Sequence, residues 1–274
     1  MNEVAINKRA VIVIPLYKSD LTKQEEFSIA NTLSVLTKWK VIFIAPHRLK
    51  ADIERWKRFP LDSEQCVFFE DKYFKSVAGY NELLMSRFFY EKFILYEFML
   101  IVQTDAIAIS DQVELWCSKN YSYIGAPWFE GLEQPIEPLK MIGVGNGGFS
   151  LRKVNDFISA LSICRHVPNK RARYNKKSLL NLARYVKHNY IYAFNVKPLL
   201  PKVNEDVFWG ELISSVMPEF TVPSVQEAAL FSFEVCPEYL FNITNERLPF
   251  GCHAWEKYNK KFWVERLNLP KYLS

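Results

Sequence analysis

In the segment Leu100–Ile109, LIVQTDAIAI, an apolar run ends in Gln103-Thr104-Asp105 and then resumes. A carboxylate at the end of a buried strand is costly unless a donor, a cation or a metal partners it. Open α/β sheets bind ligands at the carboxyl ends of their strands. Asp105 is therefore the first candidate for chemistry, with a turn or helix cap as the plainer alternative. Gly145–Arg152 (GNGGFSLR) is the second segment, with three of the nine glycines inside four positions. Such a cluster lets backbone N–H groups approach a ligand, or else forms a bulged turn into a strand. It lacks both the Gly-Lys-Ser/Thr end of a P-loop and the spaced glycines of a dinucleotide fingerprint.

Asn204-Glu205-Asp206 is the third segment. A good N-cap followed by two acids suits a helix start, and the alternative is that one carboxylate faces a cleft as a general base. His253, in Phe250–Trp255 (FGCHAW), is one of only four histidines. Alone it reads as structural; brought beside Asp105 it would become a metal ligand. The fifth feature is charge. No acidic residue lies between Asp156 and Glu205, while Arg165, Lys170, Arg171, Arg173, Lys176, Lys177, Arg184, Lys187, Lys197 and Lys202 fall there. Leu179, Leu180, Leu182, Ala183, Val186 and Tyr190 give Lys176–Tyr190 an apolar side. A basic amphipathic helix suits an anionic membrane surface or a phosphate-bearing acceptor, or it is simply a solvated face. No nucleic-acid-binding module is recognisable, and no nucleic-acid partner is expected.

The elements that must position these residues alternate in the first half. Ala10–Leu16, Val41–Ala45, Gln65–Phe69 and the run into Asp105 read as buried strands. Gln24–Thr37, Ala51–Phe59 and Ser76–Phe93 read as the intervening helices. This order predicts an α/β fold with a mostly parallel sheet covered by helices on both faces. The second half predicts a strand and turn over Tyr121–Pro127, a loop over 129–142, and helices at about Val154–Cys164, Asn204–Val216, Val225–Phe233 and Tyr258–Leu267. With no repeat and no low-complexity linker, one domain over 1–274 is expected, carrying a basic insertion at about 165–202.

Composition narrows the class. Hydrophobic residues make up 49% and aromatics 15% of 274 residues, which excludes intrinsic disorder. No apolar stretch reaches the ~18 residues of a membrane span. The first apolar run ends in a proline without a cleavage site and reads as a strand, not a signal peptide. Five scattered cysteines without a Cys-x-x-Cys pair suit reduced thiols, so a cytoplasmic protein is expected, peripheral on the inner membrane if the basic segment binds lipid.

Taken in order, IPLY, YNELLMSRFFYEKF, QTD, YIGAPW, GNGGFSLR, EDVFW and FGCHAW resemble the bacterial glycosyltransferase-like family DUF5672 over roughly residues 10–256. More distantly they are similar to GT-A glycosyltransferases. The resemblance implies a Rossmann-like N-terminal half binding a nucleotide-sugar donor, with Pro15, Leu16, Tyr17, Arg87, Thr104 and Asp105 on the donor. It implies Mn²⁺ or Mg²⁺ held by Asp105 and His253, although Gln103 and Ala106-Ile107 supply no second carboxylate to complete a DxD motif. Gly147, Gly148, Trp128 and Trp209 are implied on the acceptor side, and Asp206, with Glu205 as second choice, as catalytic base. Phe129 and Trp255 lie beside these motifs too, and are placed either to stack on rings or in the core. The expected function is hexosyl transfer, inverting by analogy, to a saccharide or lipid-linked acceptor in surface polysaccharide synthesis. The alternative is a non-catalytic nucleotide-sugar or carbohydrate-binding module of the same fold.

Overall fold

The computed structural model describes residues 8–53, 59, 65–163 and 204–273. The basic segment 165–202 lies outside them. In chain order the strands are β1 (Ala10–Pro15), β2 (Lys40–Pro46), β3 (Cys66–Phe69), β4 (Phe98–Val102), β5 (Ile107–Ala108), β6 (Tyr123–Ile124), β7 (Ala126–Phe129), β8 (Met141–Gly145), β9 (Phe149–Lys153), β10 (Ser232–Phe233) and β11 (Gly251–Cys252). The central sheet has the order β3-β2-β1-β4-β9-β6. Its first four strands are mutually parallel, and β9 runs antiparallel to both β4 and β6. The order 3-2-1-4 is that of a Rossmann-like half.

The apolar runs follow from burial on both faces. Ile12, Ile14, Phe43, Leu100 and Val102 enter one core, which Ile29 and Leu36 help to fill. The alternate residues Val11, Val13, Ile42, Met99 and Ile101 enter a second core with Leu83, Leu84, Tyr90, Phe157 and Trp209. The expected α/β class, with a mostly parallel sheet flanked by helices, is what forms.

Element boundaries differ where local chemistry interrupts the pattern. The single helix expected over 76–93 is two, Val77–Leu84 and Arg87–Glu91. Ser86 breaks the run by taking extended backbone before the second helix. The helix expected over 204–216 opens with Glu205–Val207 and continues as a π-helix, Phe208–Ile213. Such wide turns are rare and gather at functional sites.

Two small sheets complete the frame: β7 pairs with β8, and β10-β11-β5 form the other. In the latter Cys252 sits opposite Ile107 and Phe233 opposite Cys252. The residues just beyond those pairs, Asp105, Glu234 and His253, are thereby brought together from three distant parts of the chain. Among the described residues no helix is long and apolar enough to cross a membrane.

Candidate functional site

Parallel strands β1 and β4 end at the same edge, so Tyr17 and Gln103–Asp105 emerge side by side. Because β9 is antiparallel to β4, the β8–β9 turn reaches that edge as well, and the Gln103 N–H donates to the Gly148 carbonyl at 2.8 Å. A cleft of about 540 Å³ opens there. Its lining includes Tyr17, Glu25, residues 74–77, Tyr80, Asn81, Gln103–Asp105, Asn146–Gly148, Asn204–Asp206, Glu234 and His253.

His253 is the hub of one end. Its Nε2 lies 3.3 Å from Asp105 Oδ1 and 3.2 Å from Gln103 Oε1, and its Nδ1 lies 2.8 Å from Glu234 Oε1. Burial works against charge on the ring, but Asp105 and then Glu234 outweigh it and raise the imidazole from 6.5 to about 10. Burial likewise opposes ionisation of Asp105, yet His253 holds that carboxyl below its ordinary value. Gly148 makes this arrangement possible: a Cβ there would sit 2.1 Å from His253 Nε2 and Cδ2. Gly148→Ala is therefore expected to expel the ring. NMR titration should show the His253 midpoint falling from about 10 toward 6.5. In the wild type the sign is that of a raised base. The charged ring stabilises the fold fully below pH 6.5, and that contribution fades as pH rises through about 10.

The other end is built on Asp206. One carboxylate oxygen accepts the Asn146 N–H at 3.1 Å and the other accepts its neighbour Val207's N–H at 2.8 Å. Burial pushes this carboxyl above its ordinary value despite the two donors. Asn146 takes a left-handed backbone, φ 74°, to turn the chain from β8 into β9. Its Oδ1 accepts the Gly148 N–H at 2.9 Å, while its buried Nδ2 has no partner among the described residues. An unsatisfied buried donor costs about 1–3 kcal/mol.

Glu205 borders the cleft but is not a free base. Arg152 grips it with two parallel bonds, Nη1–Oε2 2.9 Å and Nη2–Oε1 2.8 Å, and both side chains are buried. Arg152 also donates to Tyr90 OH at 3.0 Å and to Ser150 Oγ at 3.1 Å. Burial pushes the Glu205 carboxyl upward against the pull of Arg152, but neither oxygen is left unengaged. A Cβ at Gly147 would stand 2.1 Å from Glu205 Oε1, so that glycine is kept for the ion pair.

Thr104 lines the cleft, 3.5 Å from Glu25. Tyr17 does too, its ring edge-on to Tyr80 at 5.4 Å. Other expected site residues stand elsewhere. Pro15 and Leu16 are buried at and just beyond the end of β1, with Leu16 in the core. Arg87 is exposed and tied to Glu91 at 2.7 Å and Ser162 at 3.0 Å, outside the cleft lining. Trp128 lies across Gly143 and Gly145, where the missing side chains make room for its ring. Trp209 is fully buried beside Phe157 and Phe220, so no acceptor can stack on it without opening the core. Phe129 and Trp255 are core as well.

The sequence profile of DUF5672, described as a protein of unknown function, matches residues 63–253. The chain belongs to the DUF5672 family. No curated protein sequence matches it. Among solved structures, this DUF5672 chain is similar to an active-site mutant of LgtC, with 10% identity, 96% of this chain and 98% of that one covered, and a TM-score of 0.48. It is also similar to mouse xyloside xylosyltransferase 1 in its apo form, at 11% identity, 89% and 96% coverage and 0.41. A third is a glycosyltransferase involved in glycosylation of the major capsid of PBCV-1, at 11%, 95% and 100%, and 0.37. No residue role follows from likenesses of this size.

Two cleft residues of this DUF5672 protein carry weak or no local signal. Glu234 follows a two-residue strand that has no periodicity to read. Asn146 sits among glycines that attract the attention, although its own left-handed backbone is what the Asn-Gly pair encodes. Gln103 is conspicuous in sequence only as the carboxylate that is missing.

Proposed function

We propose that the protein is a glycosyltransferase that moves a sugar from a nucleotide-sugar donor to a saccharide or lipid-linked acceptor. The observation that carries this reading is the meeting of Asp105, His253 and Asp206 on one cleft at the carboxyl edge of the parallel sheet.

Charge balance says how such a donor enters. The lining carries Glu25, Asp105, Glu205, Asp206 and Glu234 against Lys75 and His253. Lys18 pairs with Glu25 at 2.9 Å, and Arg152 pairs with Glu205. Among the described lining residues that leaves Asp105, Asp206 and Glu234 against Lys75 and the protonated His253, one excess negative charge. A divalent cation would offset that excess once it displaced the Nε2 proton of His253. Glu234 takes the Nδ1 side of His253, which turns Nε2 toward Asp105. Asp105 and His253 would hold Mn²⁺ or Mg²⁺, whose bound charge would offset that growing on the leaving diphosphate.

The remaining work falls to this chain's own groups. Asp206, with its proton affinity raised by burial, takes the proton of an acceptor hydroxyl. The freed oxygen bonds to the anomeric carbon, the carbon–oxygen bond to the diphosphate breaks, and the nucleoside diphosphate leaves with that electron pair. The direct attack makes the reaction inverting. Surface polysaccharide synthesis at the inner membrane face is the setting that would use the basic segment 165–202 on an anionic lipid surface.

The test is turnover of a panel of UDP-, GDP-, CMP- and dTDP-sugars with Mn²⁺ or Mg²⁺, followed as release of the nucleotide. Release from one nucleotide class, lost in Asp105→Ala, is the expected result. Saturable donor binding with no release, with or without saccharide acceptors, would instead indicate a binding module.

A further inference from the structure

We infer that Asn81 is the positioning residue for Asp206: it caps the turn that bears this carboxylate from a separate helix and so fixes where the carboxylate stands in the cleft. The role rests on reading Asp206 as the general base.

A helix start leaves backbone N–H groups without partners, and an asparagine just before it ordinarily turns its own side-chain oxygen back to accept one. Asn204 stands at that place with the extended backbone of a cap, φ −61° and ψ 148°, but its side chain makes no capping bond. Its Oδ1 accepts instead from Asn81 Nδ2 at 3.1 Å. The N–H of Glu205, which opens the turn, donates to Asn81 Oδ1 at 3.4 Å. One bond needs a donor and the other an acceptor, and a side-chain amide supplies both. Asn81 thus does from across the cleft wall what Asn204 would otherwise do locally.

The anchor is firm because Asn81 sits on Val77–Leu84, whose Tyr80, Leu83 and Leu84 are buried. The turn it holds is fastened at two points. Arg152 grips the Glu205 side chain, and Asn81 holds the backbone of Asn204 and Glu205 in place. Asp206 comes next in the chain, so its direction follows from both. That direction lets one carboxylate oxygen accept the Asn146 N–H at 3.1 Å. Loss of Asn81 leaves the ion pair whole but frees the backbone to turn, and a shift of about 1 Å in a reacting group can cost about 10²-fold in rate.

The experiment measures turnover of the nucleotide sugar that the wild type uses, together with amide hydrogen exchange of the protein without substrate. Asn81→Ala is expected to lower kcat about tenfold to a hundredfold and to leave the donor KM within about twofold. In the Asp206→Asn background the same substitution should cost nothing further, whereas a general loss of folded protein would lower both backgrounds alike. The Asn146 amide should exchange about tenfold faster or more in Asn81→Ala, while the amides of β1 keep their protection. A raised KM with unchanged kcat would make Asn81 a substrate contact and overturn the assignment. So would an equal loss in the wild-type and Asp206→Asn backgrounds, or unchanged exchange at Asn146. Full turnover by Asp206→Asn would strike the base reading itself, and exchange at Asn146 would still decide whether Asn81 holds that carboxylate.

Discussion

Arg152→Ala is expected to lower folding stability by about 3–5 kcal/mol, as removal of one partner from a buried ion pair does. The reason is what remains behind. Tyr90 OH keeps its bond to the Leu84 carbonyl at 2.7 Å, and Ser150 Oγ keeps Gly147 O at 3.2 Å. Glu205 keeps nothing: both oxygens lose their cation, with only 3% of the residue exposed to water. Urea unfolding monitored by tryptophan fluorescence gives the number. Replacing both partners, as Arg152→Met with Glu205→Leu, should recover much of the loss because no charge is then buried. A single-mutant cost below about 1 kcal/mol would mean that the pair is solvated or that Glu205 has another partner.

The second large effect is on turnover. Asp206→Asn should lower transfer by about 10²–10⁴-fold, the usual worth of a general base. Its cost in stability should be only about 1 kcal/mol, since an asparagine oxygen can still accept one of the two backbone N–H groups. Glu205→Gln should behave in the opposite way, unfolding more easily but turning over in proportion to the folded fraction. Kinetics alongside unfolding curves separate the two. If Glu205→Gln abolished turnover in a fully folded protein while Asp206→Asn did not, the roles assigned here would be exchanged.

The parallel half of the fold was legible because its strands are buried on both faces and so appear as unbroken apolar runs. Asp105 was legible for the same reason, as a carboxylate at the end of such a run. The division of labour between Glu205 and Asp206 was not. They are adjacent acids at a helix start, and what separates them is Arg152, 53 residues away in sequence. Trp209 shows the converse error. It follows the EDV motif directly, but the helical turn carries it into the core behind the cleft. Glu234 was hidden because strands of two residues have no pattern, and only the pairing of β10 and β11 with β5 places it on His253.

The most direct test of the central claim is thermal shift with nucleoside diphosphates and nucleotide sugars, with and without Mn²⁺, on the wild type and on Asp105→Ala. The account predicts stabilisation by one nucleotide class that requires the cation and disappears in the variant. Equal stabilisation of wild type and Asp105→Ala, or none with any nucleotide at any cation concentration, would contradict it.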